Sequence, residues 1–529
     1  MKNRKSTKRA LLGSIMAMVL CLAMLVGATF AWFTDTASTG VNKIQAGKLD
    51  VALEMKEGDS WVSAEGKTLN WVKAAAGEQV LWEPGCTYTL PELRVVNNGN
   101  LALKYKIQIT GIQGDAKLNE VIDWTINDAA IDLTEGHLTA GQQGDAFTIK
   151  GHMKETAGND YQNLTIDGIG ITVYATQDTV EYDSFNNTYD ANAQYPAMPY
   201  VTSHEALNTS LTLADIPTNE ATGKHDPVEV ALGNTEAGDI AYSEHSSGYT
   251  GKGVMLGSTK LNSYAAAPAK AGEYTFVFKN GTINSAATGY SSIDNLKDTS
   301  VYMLVPGNSD VVFENMTFNG VVSFDIQMYT SPWSYLHSIT FKNCTFNGIV
   351  VGSCPAEKAT FDGCTFNNYT NTTYANNSNP IWWRAGTGYW GTGADESVHS
   401  LKEFTFVNNT VTSTRPVKIE RIGWNCTAGI TILDNTFDIS KQAGDSETKN
   451  MAINIGQRDN TSKFILTDDG NTISAGTASL YTAALGSGSN QYVAVSGSKV
   501  LDRNGNDKVI TAMVWKTTTG ETFEMKTID

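Results

Sequence analysis

One short pattern recurs six times in a single register: Phe278-Lys-Asn-Gly-Thr-Ile, Phe313-Glu-Asn-Met-Thr-Phe, Phe341-Lys-Asn-Cys-Thr-Phe, Phe361-Asp-Gly-Cys-Thr-Phe, Phe406-Val-Asn-Asn-Thr-Val and Ile432-Leu-Asp-Asn-Thr-Phe. A bulky apolar residue is followed by a polar bend, then by Thr and a second apolar residue. The repeats start 20 to 45 residues apart, as the steps from 341 to 361 and from 361 to 406 show. A constant unit joined by variable insertions is the signature of a parallel β-helix, in which each coil lays a short strand on the previous one and loops bulge at a corner. The Phe and Ile columns would stack inward. Asn408/Asn409 and Asp434/Asn435 fall where a bend would support a side-chain amide ladder, which satisfies backbone groups from coil to coil. Cys344 and Cys364 share one position on consecutive coils and should stack. In-register neighbours seldom have disulfide geometry, so free thiols are expected.

The N-terminal third reads differently. Lys48-Leu-Asp-Val-Ala-Leu, Thr87-Tyr-Thr-Leu, Leu93-Arg-Val-Val, Leu103-Lys-Tyr-Lys-Ile-Gln-Ile and Ile169-Gly-Ile-Thr-Val-Tyr-Ala are short strands. Tyr105, Ile107 and Ile109 alternate with Lys104, Lys106 and Gln108, the period of a half-buried strand. Turn chemistry at Pro84-Gly85 and Asn97-Asn98-Gly99-Asn100 separates the strands, giving a β-sandwich pattern. Residues 183–225 are rich in Asn, Asp, Thr and Pro and read as a linker with a short helical turn near Ser203 to Leu207. After Asn471 the repeat fades. Residues 496–529 read as hairpins that cap the last coil.

Residues 1–31 form an export signal: five basic residues, then a run without charge from Ala10 to Thr34. Thr29 and Ala31 are the small residues that a signal peptidase pocket accepts, placing cleavage between Ala31 and Trp32. A retained anchor is the rival reading, since about 20 apolar residues span a bilayer. The formal net charge is -17, and loss of the leader makes it -22. Such a chain repels phosphate backbones and anionic lipid, which excludes nucleic acid as a partner. Five cysteines remain after the leader, an odd count that argues against a disulfide framework.

Gly27-Ala-Thr-Phe-Ala-Trp-Phe-Thr-Asp resembles the leader of substrates of the SipW-type signal peptidase of Gram-positive bacteria. Ala46-Gly-Lys-Leu-Asp, Trp82-Glu-Pro-Gly, Val96-Asn-Asn-Gly-Asn-Leu-Ala-Leu-Lys-Tyr, Gly151-His-Met-Lys-Glu-Thr-Ala-Gly-Asn-Asp-Tyr-Gln and Val173-Tyr-Ala-Thr-Gln resemble segments of the TasA/camelysin-like family. That resemblance implies a jelly-roll-like sandwich delivered to the cell surface, in some members polymerising into biofilm matrix fibres. The repeated Phe-x-Asn-Cys-Thr-Phe-x-Asn is similar to the pectin-lyase-like family, which implies a right-handed parallel β-helix and says little about activity.

Several groups carry side chains capable of chemistry. His152 and Glu155 lie three apart in what reads as a turn leading to a strand, but a zinc protease of the His-Glu-x-x-His type needs a second His on the same helical face, and the sequence has no such motif. Asp502-Arg-Asn-Gly-Asn-Asp lacks the spacing of a calcium loop and reads as a turn. Arg415, Lys418, Glu420 and Arg421, with Asp395 and Glu396, are the nearest thing to a lyase constellation. Charge pairing on a solvated face explains them better, with Lys418, Glu420 and Ile422 on one side of a strand. The stronger lead is the insertion containing Trp382, Trp383, Arg384, Tyr389 and Trp390. It forms a candidate loop for a glycan or a protein partner, or a cover for the side of the β-helix.

The sequence therefore leads to an all-β chain: a signal at 1–31, a sandwich at 32–182, a linker at 183–225, a right-handed parallel β-helix at 226–495 and a hairpin cap at 496–529. The expected function is that of a secreted cell-surface or extracellular-matrix protein, fibre-forming or adhesive. Its expected partners are a signal peptidase, further copies joined through the N-terminal strand, and a glycan or surface protein. No cofactor, metal or catalytic residue is assigned, and the balance is against an enzyme. A polysaccharide lyase or hydrolase is the alternative, followed by a camelysin-type metallopeptidase.

Overall fold

The computed structural model describes residues 48 to 528, apart from internal segments of which the longest are 179–192, 385–400, 440–450 and 486–498. The leader with its Ala31–Trp32 junction, Tyr389, Trp390, Asp395, Glu396, Cys354 and Cys426 lie outside the described residues.

The first part is a β-sandwich of small antiparallel sheets. Val51–Glu57 lies between Ser60–Ser63 and Leu93–Asn97. Leu103–Gly114 lies between Ile166–Gln177 and Glu135–Leu138. Ile149–Met153 joins Thr87–Thr89 to Ile122–Ile126. Met55, Val95, Ile107, Ile109, Ile126 and Ile149, drawn from all of these sheets, meet in one core. Ile107 and Ile109 are buried as their alternation requires, and Lys104, Lys106 and Gln108 keep partial exposure. The turn after Leu93–Asn97 is organised by a fully buried Asn97. Its Nδ2 donates to the Leu101 carbonyl at 2.7 Å, and its Oδ1 accepts from the Gly99 amide at 2.9 Å. Gly99 has no alternative, because a Cβ there would lie 2.2 Å from the Lys48 carbonyl oxygen.

The second part is a parallel β-helix. Each coil has a strand before a bend and one after it; the second either runs on to the third side, as Thr317–Asp325 and Thr345–Ser353 do, or stops before a separate third strand such as Ile381–Arg384 or Val417–Ile422. Phe341, Lys342, Asn343, Cys344, Thr345 and Phe346 show the corner: the strand Leu336–Lys342 ends, Asn343 turns the chain and the strand Thr345–Ser353 begins. The bending residue has positive φ on seven coils: Asn280, Asn315, Asn343, Gly363, Asn408, Asp434 and Gly470, with φ between 50° and 67°. Gly, Asn and Asp are the residues that visit the left-handed region at least cost. The polar third position of the sequence repeat therefore has a backbone cause.

Register follows from that corner. Phe278, Phe313, Phe341, Phe361, Phe406 and Ile432 pair position for position up the stack. Their rings form a column, with Phe313 and Phe341 centroids 5.3 Å apart and Phe341 and Phe361 4.7 Å apart. A second column joins Phe318, Phe346 and Phe366. The position just past the bend faces inward and carries Met316, Cys344 and Cys364, then Asn409, Asn435 and Asn471. The two cysteines are buried free thiols, and burial pushes the Cys364 thiol far up. The three asparagines form the expected ladder: Asn409 Nδ2 donates to Asn435 Oδ1 at 3.0 Å, and Asn435 Nδ2 to Asn471 Oδ1 at 2.9 Å.

The ends of the stack depart from expectation. Parallel pairing begins at Tyr200–Ser203, inside the segment read as a linker, where Ser203 caps the helix α1, His204–Thr209. Leu207, Leu211 and Ile216 join the β-helix core, because this turn of chain covers the first coil. At the other end the stack does not stop where the repeat fades. Asp468 takes the place of the inward Phe and Ile, opposite Ile432. It accepts from Tyr481 Oη at 2.7 Å, Lys508 Nζ at 2.7 Å and Asn471 Nδ2 at 2.9 Å. Lys499–Leu501 and Ile510–Lys516 continue the parallel pairing, and Thr522–Ile528 returns antiparallel as a final hairpin. Asp502 accepts from the amides of Asn504 and Asn506, so its loop is a hydrogen-bonded turn.

Two outcomes test these features. Asn343→Gly should change the unfolding free energy measured in urea by no more than about 0.5 kcal/mol, whereas Asn343→Val, a β-branched residue at φ 52°, should cost about 1–2 kcal/mol; equal effects would show that the bend does not select the residue. Burial and the Asp468 carboxylate hold the Tyr481 phenol well above 10. Below that value the phenol is neutral in both states. Above it only the unfolded chain ionises, so stability falls as pH rises past about 10. Urea titrations from pH 9 to 11 should show a shallower loss for Tyr481→Phe than for the parent.

Candidate functional site

The tryptophan segment of the sequence forms a strand, Ile381–Arg384, on the third side of the coil, between Thr345–Ser353 and Val417–Ile422. Alternation then sends its two tryptophans in opposite directions. Trp383 points inward and is fully buried. It fits because the residue beneath it is Gly352, where a Cβ would lie 2.4 Å from the indole. Phe361 meets its edge at 5.8 Å. Trp383 is therefore a core residue, which corrects its assignment to a ligand loop. Arg384 is also buried, 4% exposed, so it too cannot serve as the exposed polar neighbour of a binding loop.

Trp382 points outward. It sits in a second, external apolar cluster with Tyr290, Val321, Ile349, Val351 and Tyr369. The Lys418 ammonium lies 3.9 Å from the centre of its ring, on the next coil, and the Tyr290 ring lies 6.1 Å away. Lys418 thus acts as the cation of a cation–π pair, not as an isolated surface charge. Two insertions bring Tyr290 and Tyr369 over the strand residues Val321, Ile349, Val351 and Trp382, and a buried asparagine ties those insertions together. Asn371 Nδ2 donates to the Tyr290 carbonyl at 2.8 Å, and its Oδ1 accepts from the Tyr290 amide at 3.0 Å, across 81 residues of sequence. Tyr369 Oη donates to the Thr288 carbonyl at 2.9 Å. These partners carry no repeat, so nothing in their spacing marked them in advance.

The other polar candidates have structural roles. His152 lies within the strand Ile149–Met153, not in a turn before one, and its Nδ1 is 2.9 Å from Thr87 Oγ1. Arg415 precedes Pro416 in the expected bend but is 3% exposed, so it is not part of a solvated charged face; its Nη1 donates to the Thr414 carbonyl at 2.8 Å. The side chains of Glu420 and Arg421 lie outside the described residues. Among the described residues no group of three or more His, Cys, Asp and Glu side chains could hold a metal ion, and no helix is long and apolar enough to cross a membrane.

Comparison with known proteins gives limited support. The family described as camelysin metallo-endopeptidase matches residues 6–58, a span that ends just past the strand Val51–Glu57. No curated protein matches. A solved structure, the catalytic domain of a GH87 alpha-1,3-glucanase in complex with tetrasaccharides, aligns over 90% of this chain and 99% of its own at 9% identity, with a TM-score of 0.13. At that score the alignment carries no argument.

The two adjacent tryptophans should separate cleanly on substitution. Trp383→Ala should cost about 3–5 kcal/mol of stability through the cavity it leaves, and Trp382→Ala about 1 kcal/mol, near the strength of the cation–π contact. Chemical denaturation of the two variants measures both, and equal losses would contradict the inward and outward assignment.

Proposed function

We propose that this chain is an exported surface or matrix protein whose β-helix serves as a binding stalk. The leader is removed by a signal peptidase between Ala31 and Trp32, and the sandwich provides retention at the cell surface or assembly with further copies. The observation that carries the reading is the β-helix itself, a parallel stack from Tyr200–Ser203 to Ile510–Lys516. With about nine coils at about 4.8 Å each it reaches roughly 40 Å, offering a long regular side to a partner. The match over residues 6–58 supports export in the manner of the camelysin-like family. The peptidase activity in that family's description is not carried over, since residues 6–58 contain no histidine.

Assembly follows from the new N-terminus: a strand released at Trp32 adds to the sheet of a neighbouring copy, a form of β-augmentation. Purified residues 32–529 should sediment as filaments visible by electron microscopy, and the same protein carrying a blocked N-terminal extension should remain monomeric. Monomers from both preparations would remove self-assembly from the reading.

A further inference from the structure

The strand just past the bend presents an ordered, uncharged face. Thr282, Thr317, Thr345, Thr365, Thr410, Thr436 and Thr472 occupy one outward position on seven successive coils, paired residue to residue. Two residues on, Asn284, Asn319, Asn347 and Asn367 form a second, external amide ladder. Asn319 Nδ2 donates to Asn284 Oδ1 at 2.7 Å, Asn347 to Asn319 at 3.0 Å and Asn367 to Asn347 at 2.6 Å. The ladder continues as Thr412, Asp438 and Ser474, the last two linked at 2.7 Å.

The ladder does more than hold coils together. Asn319 and Asn347 each spend one N–H and one lone pair on their neighbours, which fixes the amide plane along the stack and leaves the second N–H and lone pair directed away from it, whereas Asn284 donates to Asn234 and Glu236 on the coil before. Each threonine hydroxyl adds a donor and an acceptor. The result is a fixed grid of paired donor and acceptor sites at about 4.8 Å intervals over about 29 Å.

The adjoining side of the same coils shows what an ordinary solvated face looks like here. Its outward positions are Lys279, Glu314, Lys342 and Asp362 in sequence up the stack, joined by ion pairs such as Lys279–Glu314 and Lys342–Glu314. The threonine–asparagine ladder carries no charge from Asn284 to Thr412, between Glu236 on the coil before and Asp438 on the coil after. A chain of net charge -17 that keeps one side neutral and rich in both donors and acceptors is matched to a neutral ligand of the same kind.

We propose that the threonine–asparagine face of the β-helix binds a neutral, extended polysaccharide laid along the stack. Sugar hydroxyls are themselves donors and acceptors, they carry no charge to be repelled, and a polymer engages many coils at once, so weak contacts add through multivalency. The proposal rests on the stalk reading and names its ligand class.

The test is co-sedimentation of the full mature chain with insoluble cellulose and chitin, with polygalacturonate as the acidic comparison. Four proteins enter it: the parent, Thr365→Lys/Thr410→Lys on this face, Thr360→Lys/Thr405→Lys on the charged side, and Trp382→Ala, each first shown to melt cooperatively. The parent should bind cellulose or chitin, the first variant at least tenfold more weakly, and the second as the parent does. Absence of binding to both neutral polymers, or preference for polygalacturonate, overturns the proposal. Binding that survives in Thr365→Lys/Thr410→Lys but is lost in Trp382→Ala also overturns it, while leaving the stalk reading in place with its ligand at the external aromatic cluster.

Discussion

A single left-handed residue at one corner of each coil is the constraint on which the β-helix depends. With Asn, Gly or Asp at that corner, the chain turns at the same place on each of seven successive coils. Equal corners make equal registers. Phe341 then lands on Phe313, Cys364 on Cys344 and Thr345 on Thr317, and both amide ladders can form. Displacement of one corner by a single residue would turn a phenylalanine column outward, since side chains alternate with a period of two. The corner therefore protects the core more directly than any single core contact does.

The same reasoning explains which parts were legible in the sequence. Columns repeat, so Phe278 to Ile432 announced both the fold and the inner asparagine ladder. The ends of a stack are by nature unlike its middle. At Asp468 an apolar column gives way to a carboxylate satisfied by Tyr481 and Lys508, and the repeat fades although parallel pairing continues to Lys516. At the start, a polar, proline-containing stretch carries a short helix whose Leu207 closes the core. Nothing periodic distinguishes either end from a linker or a hairpin.

The candidate site was harder to read for a different reason. Trp382 and Trp383 are neighbours in an insertion without repeat, and their fates depend on Gly352, which lies one coil away and about 30 residues earlier. Only the pairing of Gly352 with Trp383 shows that one indole fills the space the glycine leaves. Tyr290 and Asn371 complete the outer cluster from 81 residues apart. Contacts of that range are set by how many coils an insertion spans, which composition and alternation do not encode.

Closure of both ends bears on how such a molecule can assemble. An open β-helix would offer unpaired strands and an apolar core to a second copy, and would grow end to end. Here helix α1 lies over one end through Leu207. Its Asn208 donates to the Met255 carbonyl at 3.0 Å and accepts from the Gly257 amide at 2.8 Å, so polar backbone groups at that end are already engaged. At the other end lie a buried carboxylate network and an antiparallel returning strand. The first end therefore has its core and its backbone groups covered by helix α1, and the last strand turns back antiparallel instead of adding a further parallel coil. In the assembly proposed above, copies join through the antiparallel sandwich, and the sides of the β-helix stay open to a ligand.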